Sequence, residues 1–211
     1  MVKLIEMVCT GNNGRSPVAE LLAQNYLAQL GADWEYSAIS SGTQVSEIAS
    51  GKFSLGLMRQ VIGTGVERRI YAPENLLEIR EALEREDTAA LKPYFDTAVN
   101  MFRAEELVNR TKVLREFGIP GLPKITKDQT VVRPDVIAIF PVDRNNKSKV
   151  IAIYQQADAK PLIEVLSAYA TDRPEEEITN TFGRGEEFYR QVVRRMVFEV
   201  PVAIDRAINE L

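Results

Sequence analysis

Residues 8 to 17, Val-Cys-Thr-Gly-Asn-Asn-Gly-Arg-Ser-Pro, lie between a predicted strand and a predicted helix. The preceding run from Val2 to Val8 is apolar apart from two charged side chains, which is typical of a buried strand. Ser16-Pro17 predicts a helix start, with serine as the N-cap and proline at the first helical position. Apolar residues then recur at helical spacing until a glycine ends the run: Val18, Leu21, Leu22, Tyr26, Leu30 and Gly31. This part of the chain therefore predicts strand, loop and helix in that order.

Further along the chain, a second strand is predicted at Tyr36–Ser40. Strand, helix and strand in this order form a βαβ unit, which implies a parallel sheet. Two more strands are predicted at Val136–Phe140 and Lys149–Tyr154, and a long final helix at Glu186–Ile208. We therefore expect an α/β fold with a four-stranded parallel sheet, helices on both faces, and a site at the carboxyl ends of the strands.

The stretch from Ser46 to Lys127 differs in character, because it carries helical rather than strand patterns. Helices are predicted at Asn75–Glu86 and Leu91–Phe117, and the Gly- and Pro-rich run Gly118–Pro123 ends the second. We interpret residues 46–127 as a helical insertion in a single α/β domain that spans residues 1–211. The insertion could carry a partner surface, including the interface of a homodimer.

The composition excludes several classes of protein. The 211 residues are 45% hydrophobic and 27% charged, which is ordinary for a globular domain. There is no histidine and one cysteine, so a Ser-His-Asp or Cys-His site, a His-ligated metal, a Cys-based zinc site and an internal disulfide are excluded. A net charge of −4 argues against nucleic acid or a membrane surface as partner. The absence of a signal-like or membrane-spanning run predicts a cytoplasmic location.

The loop between the first strand and helix has the composition of an anion site. Backbone N–H groups of residues 10–15 at a helix N-terminus can surround an anion, and Gly11 and Gly14 allow the close approach. Arg15 can bind two phosphate oxygens with its planar fork. Cys9 lies at the base, where the helix end favours a nucleophilic thiolate without histidine.

Two polar neighbours could support this arrangement. Ser16 could donate a hydrogen bond to the thiolate, and Asn12 could brace the loop through its side chain. Each element also has an ordinary explanation, since a lone cysteine is usually a small buried hydrophobe and Gly-Asn-Asn-Gly is usually a turn. The spacing of cysteine, arginine and serine between strand and helix is what favours the anion site.

The loop resembles that of the low-molecular-weight protein tyrosine phosphatases, which reads V-C-x-G-N-x-C-R-S-P. Seven positions match: Val8, Cys9, Gly11, Asn12, Arg15, Ser16 and Pro17. Residues 40–43 resemble the family's S-A-G-T turn after the second strand, and residues 135–140 resemble a later core strand. The middle stretch is not covered by the resemblance.

The resemblance implies a fold of the phosphotyrosine protein phosphatase I type and a two-step phosphatase reaction without metal or other cofactor. Cys9 would attack phosphorus to form a phosphocysteine, while Arg15 and the N–H groups of Thr10, Gly11, Asn12, Asn13 and Gly14 hold the phosphoryl oxygens. An acid would protonate the leaving oxygen and then activate water. The substrate would be a phosphorylated protein or a small phosphoryl compound.

The sequence departs from the family at several positions. Gly14 replaces a frequent second cysteine, which removes a disulfide partner for Cys9. Asn180 aligns with the family's catalytic aspartic acid, and an amide is not a general acid near neutral pH. Asp172 is the nearest upstream substitute. Phe182 and Asn13 occupy positions that flank the substrate in the family, where the polar Asn13 is less suited to an aromatic ring.

Three functions follow from these observations. The first is a phosphomonoesterase with Cys9 as nucleophile, acting on phosphotyrosine or on a more labile phosphoryl substrate. The second is a phosphate- or phosphoprotein-binding module with little turnover, which the amide at position 180 favours. The third is a redox sensor at Cys9, although Gly14 leaves no neighbouring thiol to form a disulfide.

Overall fold

The computed structural model of the chain describes residues 2–51 and 53–211. Its centre is a parallel sheet of β1 (Lys3–Cys9), β2 (Tyr36–Gly42), β3 (Val136–Pro141) and β4 (Leu162–Ile163), in the order β2-β1-β3-β4. Eight helices accompany it in the described residues: α1 (Arg15–Gln29), α2 (Val45–Ala49), α3 (Leu55–Glu67), α4 (Asn75–Glu84), α5 (Thr88–Glu116), α6 (Arg144–Tyr154), α7 (Leu166–Thr171) and α8 (Glu186–Glu210). The predicted four-stranded parallel α/β fold is confirmed.

The alternation of β1 places its side chains on two faces of the sheet. Ile5, Met7 and Cys9 join the large core beneath α1 and α8, whereas Val8 packs on the opposite face in the core that contains α6. Both faces of β1 are therefore buried, as is typical of a parallel sheet covered by helices.

The predicted strand at Lys149–Tyr154 is wrong, because these residues form the second half of α6. Asp143 caps this helix by accepting a hydrogen bond of 2.8 Å from the backbone N–H of Asn146. Val150 and Tyr154, four residues apart, are the buried side of the helix. An apolar run of this length fits either element, and the capping aspartate decides for the helix. The fourth strand is instead the two-residue β4.

The insertion has an apolar core of its own. The buried residues of this second cluster come from α3, α4, α5 and the segment that follows α3: Met58, Val61, Ile62, Tyr71, Ile79, Ala82, Leu91, Phe95, Ala98, Val99 and Phe102. The predicted helices at 75–86 and 91–117 are confirmed as α4 and α5, while α3 was not predicted.

Helix α5 connects the two cores. Its 29 residues span roughly 43 Å at 1.5 Å per residue. Its first half, with Leu91 and Phe102, packs in the insertion cluster, and its second half, with Val113 and Leu114, packs in the core below the sheet. The middle of α5 therefore lies where the two cores meet. In the described residues no helix is both long and apolar enough to cross a membrane.

Candidate active site

The loop from Thr10 to Gly14 lies at the carboxyl ends of the strands, between the end of β1 and the start of α1. Cys9 is the last residue of β1 and is buried. Among the described residues, no acceptor receives a hydrogen bond from the backbone N–H groups of residues 11–14. Four successive unpaired N–H groups beside a helix N-terminus are the arrangement that binds an anion.

Ser16 contacts the sulfur of Cys9 rather than capping the helix. The predicted serine N-cap is wrong, since α1 begins at Arg15 with Gly14 as N-cap and no side-chain cap. The Ser16 hydroxyl lies 3.0 Å from Cys9 Sγ and 3.2 Å from the carbonyl oxygen of Ser41, and its single hydrogen can be donated to either. The serine is therefore placed to stabilise a thiolate.

Asn12 braces the loop from below. Its backbone is left-handed, with φ of 47°, and its side chain is only 1% exposed. Its amide Nδ2 donates to the hydroxyl oxygens of Ser40 at 2.9 Å and Ser16 at 3.1 Å, and its Oδ1 accepts from the backbone N–H of Asp128 at 2.9 Å. Three hydrogen bonds, two of them buried, thus hold the one loop residue whose backbone is unfavourable for most side chains.

We expected Gly11 and Gly14 to provide backbone angles that other residues avoid, and the structure does not show such angles at either position. Neither Gly11 nor Gly14 has a positive φ. The close approach belongs instead to Gly42 at the end of β2, where a Cβ atom would lie 2.7 Å from the backbone nitrogen of Asn12 and 2.8 Å from the carbonyl oxygen of Thr10. A larger residue at position 42 would displace the loop itself.

Arg15 is held at the edge of the loop by the N-cap residue of α6 and by the segment before α8. Its Nη1 donates to Asp143 Oδ2 at 2.9 Å and to the carbonyl oxygen of Ile178 at 2.8 Å. The side chain is 7% exposed, and its Nε and Nη2 donate to no atom of the described residues. The guanidinium is therefore oriented by one nitrogen and keeps the others for a ligand.

Asp143 and Asn146 are site residues that the sequence reasoning missed. Asp143 accepts from the backbone N–H and side-chain Nδ2 of Asn146 through Oδ1, which leaves Oδ2 for Arg15. Asn146 is fully buried and accepts a hydrogen bond of 2.8 Å from the Thr43 hydroxyl. The signal was present, because Asp-x-x-Asn directly after a strand is typical of a helix cap.

Glu106, in the middle of α5, is a second residue that was missed. It is 6% exposed and accepts hydrogen bonds from Thr181 Oγ1 at 2.8 Å and from Asn13 Nδ2. A Cβ atom at Gly14 would lie 2.2 Å from Glu106 Oε1. The carboxyl group thus occupies the space beside the loop that a side chain at position 14 would fill, and this explains the glycine.

Positive groups from the insertion side surround this carboxyl. Arg110 donates through Nη1 to the carbonyl oxygen of Asn13 at 2.8 Å, which ties α5 to the loop. Partial burial lowers the pKa of Lys127, with Arg103 and Arg110 adding to the shift and Glu106 and Cys9 opposing it. Burial also raises the pKa of Tyr189, whose hydroxyl has no hydrogen-bond partner among the described residues.

A cavity of about 560 Å³ opens over the loop. It is lined by polar and charged groups on the loop side and by apolar side chains on the other. Phe182 comes from the segment before α8, and the insertion contributes Ile48, Phe53, Leu57, Val61, Phe95, Val99 and Phe102. Its basic residues are Arg15, Arg103, Lys127 and Lys149, and its acidic residues are Glu47, Glu106 and Asp143. In residues 2–51 and 53–211, no group of three His, Cys, Asp or Glu side chains is arranged to hold a metal ion.

The structure brings most of the predicted site residues together at this cavity. Cys9, Asn13, Arg15 and Asn180 line it, with Asn180 exposed at the surface. Phe182 also lines it and packs edge-on against Phe102, with ring centroids 5.5 Å apart. The predicted flanking positions are therefore at the cavity, although the Asn13 side chain is engaged by Glu106.

Asp172 is not brought to the site. It follows α7 with a left-handed backbone, its side chain is 74% exposed, and it is ion-paired with Arg206 of α8 at 2.6 Å. The Arg206 guanidinium lowers the pKa of this carboxyl. An exposed, ion-paired carboxylate outside the cavity is placed for neither proton donation nor substrate contact.

Comparisons with known proteins agree with this geometry. Residues 4–67 match the family model described as low molecular weight phosphotyrosine protein phosphatase. The matched region contains all of β1 but its first residue, the whole loop, α1 and β2, so the resemblance predicted from the loop is confirmed. No curated protein sequence matches the chain at a significant level.

Solved structures share the fold at low sequence identity. A low molecular weight phosphotyrosine phosphatase from Vibrio cholerae O395 is 17% identical, with a TM-score of 0.55 over 99% of this chain and 97% of that one. The YwlE arginine phosphatase from Geobacillus stearothermophilus is 17% identical, with a TM-score of 0.56 over 99% and 94%. YfkJ from Bacillus subtilis is 15% identical, with a TM-score of 0.54 over 98% and 96%.

Proposed function

We propose that this chain, whose residues 4–67 match the model of the low molecular weight phosphotyrosine protein phosphatase family, is a phosphatase that cleaves phosphomonoesters through a phosphocysteine at Cys9. The observation that carries the proposal is a loop whose N–H groups at residues 11–14 have no acceptor in the described chain, directly after a cysteine that a serine hydroxyl contacts at 3.0 Å. An anion site alone binds a phosphoryl group. An anion site with a nucleophile at its base can also cleave the bond between that phosphoryl group and its leaving oxygen.

The reaction has two steps. The Cys9 thiolate attacks phosphorus, the S–P bond forms, and the bond to the leaving oxygen breaks. The loop N–H groups and the free nitrogens of Arg15 stabilise the charge on the three equatorial oxygens. Water then attacks the phosphocysteine and releases phosphate, and the Ser16 hydroxyl stabilises Cys9 as a leaving thiolate. A fold relative supports a covalent step, since one solved YwlE arginine phosphatase mutant carries a phosphorylated active-site serine.

The substrate class in this proposal is a phosphorylated protein or a small phosphoryl compound, hydrolysed without a metal ion in the cytoplasm. The direct test is turnover of p-nitrophenyl phosphate and phosphotyrosine with a chelator present. Wild type is expected to be active, and Cys9→Ser is expected to lose turnover while it still binds inorganic phosphate. Equal activity in wild type and Cys9→Ser would overturn the proposal.

A second function is favoured by the exposed amide of Asn180 at the position that aligns with the family's acid. Without a proton donor, the loop would bind phosphate or a phosphoprotein and turn over little. Calorimetric binding of phosphate by wild type, combined with no detectable hydrolysis of either ester, would support the binding module. Hydrolysis of phosphotyrosine would contradict it, because a phenolic leaving group requires protonation.

A further inference from the structure

We propose, building on the proposed function, that Glu106 of the insertion donates the proton to the leaving oxygen and so replaces the acid that Asn180 lacks. The acid would then come from α5, more than seventy residues before the segment that carries it in the family's pattern. The cavity, the hydrogen bonds of Glu106 and its contact with Gly14 carry this assignment.

Glu106 contacts both the phosphate-binding loop and the segment that contains Asn180. Its Oε2 accepts from the side chain of Asn13 on the loop rim, and its Oε1 accepts from Thr181, the neighbour of Asn180. It also faces Gly14, where a Cβ atom would overlap the carboxyl group. The carboxyl group therefore lies between the phosphate loop and the segment in which the family places its acid, at the cavity that holds Cys9.

The other carboxyl groups of the described cavity are less suited to this step. Asp143 is ion-paired with Arg15 through Oδ2 at 2.9 Å. The hydrogen-bond partners of Glu106 in the described residues, Asn13 and Thr181, are uncharged. Glu47 is exposed at the mouth and accepts from Gln44. Glu106 is the buried one, and its removal from water favours proton transfer to substrate rather than to solvent.

Several charged or titratable groups share the surroundings of Glu106, and they come from every element packed against it. They are Arg103 and Arg110 on α5, Cys9 and Arg15 at the loop, Lys127 in the segment before β3, Asp143 before α6 and Tyr189 on α8. The cations offset the repulsion between a carboxyl group and a phosphate dianion.

The proton balance of the two steps is simple. In the first step the Glu106 proton moves to the leaving oxygen as the S–P bond forms and the O–P bond breaks, which leaves Glu106 as a carboxylate. In the second step the carboxylate takes a proton from the attacking water as the new O–P bond forms and the S–P bond breaks. The enzyme returns with Glu106 protonated and Cys9 as a thiolate.

The experiment compares Glu106→Gln with wild type on two substrates of different leaving group, p-nitrophenyl phosphate and phenyl phosphate. Glutamine keeps the size and can accept one of the two hydrogen bonds from Asn13 and Thr181, but its amide is not a general acid near neutral pH. The expected result is a fall in kcat for phenyl phosphate of about 10²–10⁴-fold and a far smaller fall for the activated ester. The basic limb of the kcat–pH profile for phenyl phosphate is expected to disappear, and inhibition by inorganic phosphate is expected to persist.

Three further variants keep the test decisive. Asn180→Asp in the Glu106→Gln background is expected to restore phenyl phosphate turnover. Glu106→Asp, which retains a carboxyl group one methylene further away, covers the case in which glutamine disturbs folding. Equal losses on both substrates would show a structural role and overturn the proposal, as would a phenyl phosphate loss in Glu47→Gln with none in Glu106→Gln.

Failure of this proposal differs from failure of the proposed function. If Cys9→Ser abolishes turnover and Glu106→Gln leaves both substrates unchanged, the phosphatase stands and the assignment of Glu106 is wrong. If wild type shows no Cys9-dependent turnover of either ester, both proposals are wrong.

Discussion

The α/β core holds the phosphate-binding loop through its own strand ends, whereas the helical insertion covers that loop with a separate apolar cluster. In the core, Asn12 and Arg15 are fixed by partners on β2 and next to β3. In the insertion, α5 contributes a carboxyl at Glu106 and a guanidinium at Arg110, both of which contact the loop. The core therefore holds the phosphate-binding loop in place, and the insertion supplies the carboxyl group to which we assign proton transfer.

The largest effect outside the nucleophile is expected at Arg15, on the core side of this comparison. Arg15→Lys keeps the charge but loses the planar fork and the bond geometry to Asp143 and Ile178. We expect kcat/KM for p-nitrophenyl phosphate to fall by about 10²–10³-fold. Steady-state kinetics measure it. A loss below tenfold would mean that the core does not position the phosphoryl group through Arg15.

A matched pair of core truncations tests whether the two regions unfold together. Leu91 and Ile204 are fully buried, the first in the insertion cluster and the second below the sheet. Each change to alanine is expected to lower the free energy of unfolding by about 2–5 kcal/mol. Because α5 belongs to both cores, we expect one denaturation transition in both variants.

Urea denaturation followed by circular dichroism measures both the loss and the cooperativity. An early transition in Leu91→Ala, with the later one unchanged from wild type, would contradict a single unit. It would show that the insertion unfolds on its own. The single domain over residues 1–211 stays a prediction until this is measured.

A smaller effect is expected from two glycines on α3 in the insertion. A Cβ atom at Gly65 would lie 2.7 Å from the hydroxyl of Tyr71, which donates to the carbonyl oxygen of Tyr94, whereas a Cβ atom at Gly63 would meet nothing within 4 Å. Gly65→Ala is expected to lower the free energy of unfolding by about 1–3 kcal/mol. Gly63→Ala is expected to raise it by about 0.5–1 kcal/mol. Thermal denaturation compares them. Equal effects of the two changes would mean that α3 does not pack on Tyr71 as described.

The smallest effect concerns Glu6 on β1, a fully buried carboxyl group of the core. Burial raises its pKa, although the hydrogen bond from Ser41 and the charge of Arg133 oppose the shift. A carboxyl group with a raised pKa in the folded state stabilises the fold below its unfolded pKa and loses this contribution as pH rises through the folded pKa. Glu6→Gln is therefore expected to raise Tm near neutral pH.

Thermal denaturation at about pH 4 and about pH 7 checks this expectation. The gain is expected to shrink at the acidic pH, where the wild-type carboxyl group is protonated. Glu84→Gln on the exposed side of α4 is the control and is expected to change little at either pH. A Glu6→Gln variant that is less stable than wild type at neutral pH would contradict the account.

The sequence predicted those parts of the fold whose signals are local. β1, the loop and α1 have their patterns within thirty residues, and α5 and α8 are long enough for clear helical spacing. β4 has two residues and leaves no pattern to detect. The misassigned segment at 149–154 shows the same limit, because an apolar run does not distinguish a buried strand from a helix without its cap.

The site residues that lie on one loop could be predicted from the sequence. Those that come together from distant segments of the chain could not. Cys9 and Arg15 lie six residues apart, so their joint role could be inferred from spacing. Glu106 reaches the loop only because α5 crosses from one core to the other, and no local pattern distinguishes it from its charged neighbours. Gly14 was recognised as a departure, but its reason, the space taken by Glu106, exists only in three dimensions.

The central claim is that Cys9 becomes phosphorylated during turnover, and rapid-quench kinetics with p-nitrophenyl phosphate tests it most directly. The account predicts a burst of nitrophenolate that approaches one equivalent per chain, together with a phosphoryl group on Cys9 in the quenched protein. Cys9→Ala, which has no nucleophile at this position, is predicted to show no burst. Turnover by wild type with neither a burst nor a phosphoryl group on Cys9, at equal rate in Cys9→Ser, would contradict the account.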